Sequence, residues 1–239
     1  MGKFKITIEP LSEEYLLISW PSKISLEISE ELLAFEHFIL IEFEKFILNT
    51  NPAYASLCIR FDIEKTTLLN LKNLLLEAYR DFRFNRVETK KYWEIPVCYD
   101  PSLGPDLLDA CKRTSLALEN FIALHSAPLY RIYFIGFLPG FLYLGGLHES
   151  LSIPRKKSPR PKVPAGSIGI AGNQTGIYPQ SSPGGWQLIG QTKVSLFNTN
   201  ENPPTPFKAG DYLKFTNISK EEFQTTSNFP ILKSMDDDG

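Results

Sequence analysis

Gly136-Phe137-Leu138-Pro139-Gly140-Phe141 and, further along, Ser182-Pro183-Gly184-Gly185-Trp186-Gln187 decide how the second half of this chain is read. Each stretch sets large aromatic side chains on a Pro/Gly turn, and the first directly follows Leu129 to Phe137, a strongly β-like run. Glycine in such a turn takes positive φ or lets a ligand approach the backbone, while Phe137 and Phe141 offer apolar walls. The same positions also suit an ordinary turn with core aromatics. Trp186 as a core residue would need a partner for its N–H, and Gln187 has the chemistry to read an amide edge. Eleven of the fifteen glycines lie between Gly136 and Gly190. Short extended pieces cut by turns predict a barrel or sandwich with long loops.

Charge singles out the same region. From Ser150 to Asn200 there is no Asp or Glu, yet Arg155, Lys156, Lys157, Arg160, Lys162 and Lys193 are all present, in a chain of formal net charge −2. Pro154, Pro159, Pro161 and Pro164 stiffen the basic run, so arginine side chains are held at low entropic cost. A guanidinium there offers paired hydrogen bonds to a carboxylate or phosphate; a basic loop kept for solubility is the alternative.

Working outward, the first third predicts a ββαβαβ order: strands over Lys3–Glu9 and Tyr15–Trp20, then a helix capped by Ser29 with Glu30 and Glu31 in its first turn. That helix carries Leu32, Phe35, Ile39 and Phe46 and ends before Asn51-Pro52; a strand Ala55–Phe61, a helix Thr67–Phe82 and extended structure over Val87–Tyr99 follow. The expected fold is a small α+β N-terminal docking domain over residues 1–90, then a mostly β domain over 91–232. Residues 233–239 read as a frayed acidic tail. Between the turn at Pro101–Pro105 and the β run, two short helices are predicted, one with Leu107, Leu108 and Cys111 on a face, the other ending near His125. His125 at a helix end favours a capping cation by default, with proton transfer as the sharper role.

Several classes are excluded. The net charge argues against nucleic acid as the main partner. Uninterrupted apolar runs such as Phe38–Ile41 are far short of the ~20 residues a membrane span needs. Cys58, Cys98 and Cys111 are sparse and odd in number, as expected of reduced thiols in the cytoplasm. There is no P-loop and no G-x-S-x-G elbow, and His37, His125 and His148 are isolated, so no metal site is expected.

Taken in order, Ile95-Pro-Val-Cys-Tyr99, Gly104-Pro-Asp-Leu107, His125-Ser126, Gly136–Phe141, Tyr143-Leu-Gly-Gly146, Pro154-Arg155, Pro159-Arg160, Val163-Pro-Ala-Gly-Ser167, Tyr178-Pro179, Ser182–Gln187 and Gly210-Asp211 resemble the B-type family of 5-oxoprolinase subunits. Its members are also named allophanate hydrolase subunit 1 or sporulation-kinase inhibitor. The likeness is strong from about Trp93 to Phe215 and one of layout before that. Leu142 departs from it, standing where relatives commonly have proline.

The resemblance implies a cyclophilin-like β-barrel behind the α+β domain, without implying prolyl isomerase activity. It also implies a cytoplasmic heteromer with a C-type subunit and an A component, which opens 5-oxo-L-proline to L-glutamate at the expense of ATP. ATP, with Mg, is then bound by the complex rather than by this chain alone, and the chain is inactive without its partners. The substrate is a small anionic amide, whose lactam oxygen must be activated before the ring opens. On the matching positions, Arg155 and Arg160 would grip a carboxylate or phosphate, and His125 and Gln187 would handle protons or the amide. Gly136, Phe137, Pro139, Gly140, Phe141, Pro164, Gly166, Tyr178, Pro183, Gly184, Gly185 and Trp186 would shape the pocket. Two alternatives stand beside it: a non-catalytic inhibitor of a sensor histidine kinase, and a component of an allophanate- or urea-processing system, which would need a biotin carrier.

Overall fold

The computed structural model describes residues 2–84 and 91–235. The chain forms two compact units, Met1–Glu88 and Thr89–Gly239.

The N-terminal unit contains β1 (Thr7–Ser12), β2 (Tyr15–Ser19), α1 (Leu26–Glu42), β3 (Ile47–Pro52), β4 (Ser56–Phe61) and α2 (Leu68–Asp81). Its sheet is antiparallel in the order β1-β2-β4-β3. Alternation buries Leu16 and Ile18 of β2 and Leu57 and Ile59 of β4 against Ile28, Leu32, Phe35 and Ile39 of α1 and Leu71 and Leu75 of α2. Thr67 caps α2, its hydroxyl accepting from Asn70 N–H at 3.2 Å.

The structure corrects the predicted order here to ββαββα. α1 starts a turn before Ser29, with Ser25 at the N-cap, because the apolar stripe already begins at Ile28. Ser29 and Glu31 are therefore buried helix residues rather than a cap and a first-turn acid. The helix stops at Glu42, and Phe46 precedes an unforeseen strand, β3, which carries one buried residue, Ile47. A polar strand at a sheet edge shows no alternation to detect. The first strand begins at Thr7, not Lys3. Of the extended run Val87–Tyr99, residues 87–90 lie outside the described residues, and the rest belongs to the second unit.

The C-terminal unit contains β5 (Lys91–Val97), α3 (Leu107–Thr114), α4 (Leu118–Ser126), β6 (Leu129–Ile135), β7 (Leu142–Gly145), a 3-10 turn at Glu149–Leu151, β8 (Arg160–Val163), β9 (Ser167–Ala171) and β10 (Gln174–Ile177). β11 (Ser182–Gly184), β12 (Gln187–Gln191), β13 (Tyr212–Asn217), α5 (Lys220–Thr225) and β14 (Ile231–Ser234) complete it. Eight strands form one sheet in the order β12-β9-β10-β7-β6-β13-β5-β14, parallel between β13 and β5, and β8 and β11 form a separate two-stranded ribbon.

The sheet is not the expected closed barrel. Closure would require the end strands β12 and β14 to pair, and among the described residues they do not; β14 lies along β5 from Lys91 to Glu94 instead. β12 reaches only Cys98, through one bridge with Gln191 whose two hydrogen bonds measure 2.9 and 3.1 Å. Lys233 and Ser234, read as tail, end β14; residues 236–239 lie outside the described residues. On α3 it is Leu107, Ala110 and Cys111 that are buried, while Leu108 faces solvent. All three cysteines are free thiols, and no helix among the described residues is long and apolar enough to cross a membrane.

Candidate functional site

The β8–β11 ribbon builds the site. Its pairing sets Arg160 opposite Gly184 and Val163 opposite Ser182, so the basic stretch lies against the Gly-Gly turn that delivers Trp186. Lys156 N–H donates to Gly185 O at 2.8 Å and pins the loop a second time. Gly184 is required at its position: a Cβ there would lie 2.4 Å from Tyr178 Oη.

Beneath the ribbon is a small aromatic core. The ring of Phe141 stands edge-on to Tyr178 at 5.1 Å, to Trp186 at 5.5 Å and to Phe137 at 5.7 Å. Phe137 itself is 64% exposed and holds φ at +65°, a left-handed conformation for a bulky residue. Such backbone strain concentrates at binding sites, and the tight turn around it, closed by Gly136 N–H to Phe141 O at 3.1 Å, keeps the ring presented to solvent.

These parts enclose a cleft of about 340 Å³, lined by aromatic rings, the Pro159, Pro183 and Gly184–Gly185 backbone, and two cations, Arg155 and Lys156. Among the described residues, no carboxylate lines it. Its volume falls within the range of small-molecule sites, at the small end. Burial raises the phenol pKa values of Tyr143 and Tyr178, an effect that Arg155 partly offsets at both and Arg160 at Tyr178. Both phenols are therefore neutral hydrogen-bonding groups at physiological pH.

The predicted site residues divide. Phe137, Phe141, Arg155, Tyr178, Pro183, Gly184, Gly185 and Trp186 converge on the cleft. Gly136, Pro139 and Gly140 shape the turn carrying the two phenylalanines but are not part of the lining, and Pro164 and Gly166 form the turn into β9. Gln187 is buried and braces the loop, its Nε2 donating to Pro154 O at 2.9 Å. Arg160 turns away from the lining to Asp106, with Nη2 donating to Oδ1 at 2.6 Å.

His125 is neither a cap nor a cleft residue. It is fully buried, its Nδ1 2.7 Å from Tyr99 Oη, its Nε2 3.0 Å from Thr175 Oγ1, and its ring stacked on Phe215 at 4.9 Å. Burial lowers its pKa to about 3, so the imidazole is neutral and structural.

Sequence reasoning did not nominate Tyr143, Lys156 or Pro159 for the lining, nor Asp106 beside it. Lys156 and Pro159 were visible only as part of a basic, stiff loop. Among the described residues, no group of three or more His, Cys, Asp or Glu side chains is arranged to hold a metal ion.

Comparison with known proteins gives this geometry a family. Residues 6–207 match the model of the carboxyltransferase domain, subdomain C and D. The B-type subunit of 5-oxoprolinase from Bacillus subtilis (strain 168) is 37% identical over 230 residues, covering 90% of this chain and 94% of that protein. Its counterpart from Haemophilus influenzae, likewise a 5-oxoprolinase B-type subunit, is 41% identical over 215 residues, covering 88% and 97%. Among solved structures, TTHA0988 superposes with a TM-score of 0.76 at 35% identity over 87% of this chain, which spans 40% of that longer one. Kluyveromyces lactis urea carboxylase shares the fold, with a TM-score of 0.76 at 16% identity, over 98% of this chain and 24% of that one. The chain belongs to the carboxyltransferase-domain family of subdomains C and D, and within it to the B-type 5-oxoprolinase subunits.

Proposed function

We propose that the chain is the B-type subunit of a multicomponent ATP-dependent 5-oxoprolinase, a cyclic-amide hydrolase that works with a C-type subunit and an A component in the cytoplasm. The observation that carries this reading is the cleft itself: Arg155 and Lys156 beside neutral phenols and an aromatic wall, with no acid in the lining among the described residues. 5-Oxoproline is small and flat and bears one carboxylate. The cations suit the carboxylate, the ring edges suit the lactam plane, and the hydroxyls of Tyr143 and Tyr178 suit its N–H and C=O. Arg155 is the carboxylate grip in this reading. Arg160, held by Asp106, contributes charge from behind the lining. His125 and Gln187 have no part in proton transfer.

Nucleotide is assigned to the assembled complex. The cleft lies at the small end of ligand sites, and no phosphate-binding loop borders it. Purified chain mixed with its C-type and A partners is expected to hydrolyse ATP in a 5-oxoproline-dependent way. Arg155→Ala should lower kcat/KM by about ten-fold or more, the loss of one charge-assisted contact. No dependence on 5-oxoproline in the complete mixture would sink the assignment. So would an Arg155→Ala rate within about two-fold of the parent.

The fold shared with urea carboxylase favours one second reading, in which the cleft takes urea or allophanate. Neutral urea gives the two cations nothing to bind, so replacing Arg155 would leave urea turnover nearly unchanged; allophanate bears a carboxylate as 5-oxoproline does, so it is told apart by which of the two amides the complete mixture turns over. A kinase-inhibitor role would appear instead as binding to a histidine kinase without partner subunits and without turnover.

A further inference from the structure

Asp106 stands at the N-cap of α3, yet its carboxyl makes no capping bond to that helix. It is turned across to β12 and the cleft loop instead. Oδ2 accepts from Leu188 N–H at 2.7 Å, while Oδ1 accepts from Arg160 Nη2 at 2.6 Å and from Lys156 Nζ at 3.2 Å. The backbone repeats the attachment, with Asp106 N–H donating to Leu188 O at 2.9 Å. The segment approaches β12 so closely that a Cβ on Gly104 would lie 2.2 Å from the carbonyl carbon of Ile189. An aspartate at an N-cap ordinarily satisfies its own helix. This one leaves that bond unmade and is spent on the loop that walls the cleft.

The two cations it holds are not equivalent. Arg160 makes the shorter bond, and its side chain is 23% exposed; Lys156 makes the longer one and also lines the cleft. Asp106 carries one negative charge against two positive ones, so the pair of cations retains a net positive charge that Arg155 adds to. Burial alone would raise the Asp106 pKa, but the bonds from Arg160 and Leu188 N–H outweigh it and hold the carboxyl below its ordinary range, ionised at neutral pH.

We propose that Asp106 is a positioning residue for the cleft: it fixes Arg160 permanently and holds Lys156 in reserve, and an anionic ligand draws the Lys156 ammonium from Asp106 into the cleft. The ligand class rests on the function proposed above; the tether does not. Asp106 acts on the ligand only through the loop and touches no reacting atom.

The test uses the full chain with 5-oxo-L-proline as the anionic probe and 2-pyrrolidinone, the same lactam without its carboxylate, as the neutral one. Asp106→Asn can keep the Leu188 contact but carries no charge for the cations. With the competing carboxylate gone the Lys156 ammonium is free for the ligand, so 5-oxo-L-proline binding should tighten by about three-fold or more while the neutral lactam stays within about two-fold. Lys156→Met should weaken 5-oxo-L-proline binding by about ten-fold and spare the neutral lactam, and in that background Asp106→Asn should change binding by less than about two-fold, because it acts through the same ammonium. Independently of any ligand, Asp106→Asn should speed amide hydrogen exchange at Lys156 while leaving the N-terminal unit unchanged.

Weaker 5-oxo-L-proline binding in Asp106→Asn, an undiminished effect of that change in the Lys156→Met background, or unchanged exchange at Lys156 would overturn the proposal. If neither lactam binds the parent chain, the substrate reading falls and the exchange result alone decides the tether. Should Asp106→Asn fail to fold, Lys156→Met carries the test: loss of the ammonium must shift the Asp106 carboxyl titration upward, and an unmoved titration contradicts the pairing.

Discussion

Each unit buries a carboxyl, and the two are satisfied by different kinds of donor. In the N-terminal unit, Glu31 on α1 is fully enclosed. It accepts from Lys3 N–H at 2.7 Å, from the Trp20 indole N–H at 3.1 Å, and from the Tyr79 hydroxyl. Those donors are uncharged and come from the chain start, the end of β2 and α2, so the carboxyl draws three remote segments together. In the C-terminal unit, Asp106 takes two cations from a loop that borders a cleft. A carboxyl ringed by neutral donors can only tie a fold. One that shares cations with a cleft can also exchange them for a ligand.

The comparison predicts effects of different size and kind. Glu31→Ala leaves the buried Trp20 indole N–H without an acceptor and removes the one that Lys3 N–H and the Tyr79 hydroxyl share, the latter keeping Phe4 O at 3.0 Å, and should cost about 2–3 kcal/mol in urea unfolding of the full chain. A loss under about 1 kcal/mol would show that the Glu31 network is not what ties the unit.

His125 comes next and concerns pH. Its folded-state pKa of about 3 lies below its ordinary 6.5, so the unfolded chain takes up a proton that the native one refuses. The stability contributed by the neutral imidazole is complete above pH 6.5 and falls as pH drops towards 3, by roughly 2 kcal/mol between pH 6.5 and 5. The check is direct: the native imidazole resonances of His125 should not titrate between pH 8 and 5, and a midpoint near 6.5 would restore it as an exposed, chargeable group.

Gly184→Ala sharpens the other half of the contrast. The new methyl group collides with Tyr178 Oη, so it should cost about 1–3 kcal/mol in stability and disturb the cleft. Chemical shifts of Tyr178 and Trp186 that match the parent would show that the turn has room to spare.

Much of the fold was legible where the sequence repeats with a structural period. β2, β4 and α2 were found because Leu16, Ile18, Leu57 and Ile59 alternate and Leu71, Leu75 and Tyr79 recur at helical spacing. β3 was not, since Asn49, Thr50 and Asn51 at a sheet edge leave no apolar trace. The open sheet was missed because strand alternation fixes which faces are buried and says nothing of whether the last strand meets the first.

The candidate cleft was legible as turn chemistry and charge, which selected Phe137, Phe141, Arg155, Gly184 and Trp186 of its lining. What escaped was pairing across distance. Asp106 lies 54 residues from Arg160 and 50 from Lys156, and in sequence it is one residue of the Gly104–Leu107 motif with nothing beside it to suggest a partner. His125 escaped for the converse reason: a helix end looks exposed in sequence, while α4 delivers it into the core beside Phe215.

The central claim is that the aromatic cleft receives a small carboxylate-bearing amide on Arg155. The most direct measurement is a titration of the full chain with 5-oxo-L-proline, followed at the indole N–H of Trp186 by NMR. A saturable shift at Trp186 that vanishes or weakens by about ten-fold in Arg155→Ala is the predicted result. A Trp186 signal that stays still, or one that moves identically in parent and variant, would contradict it.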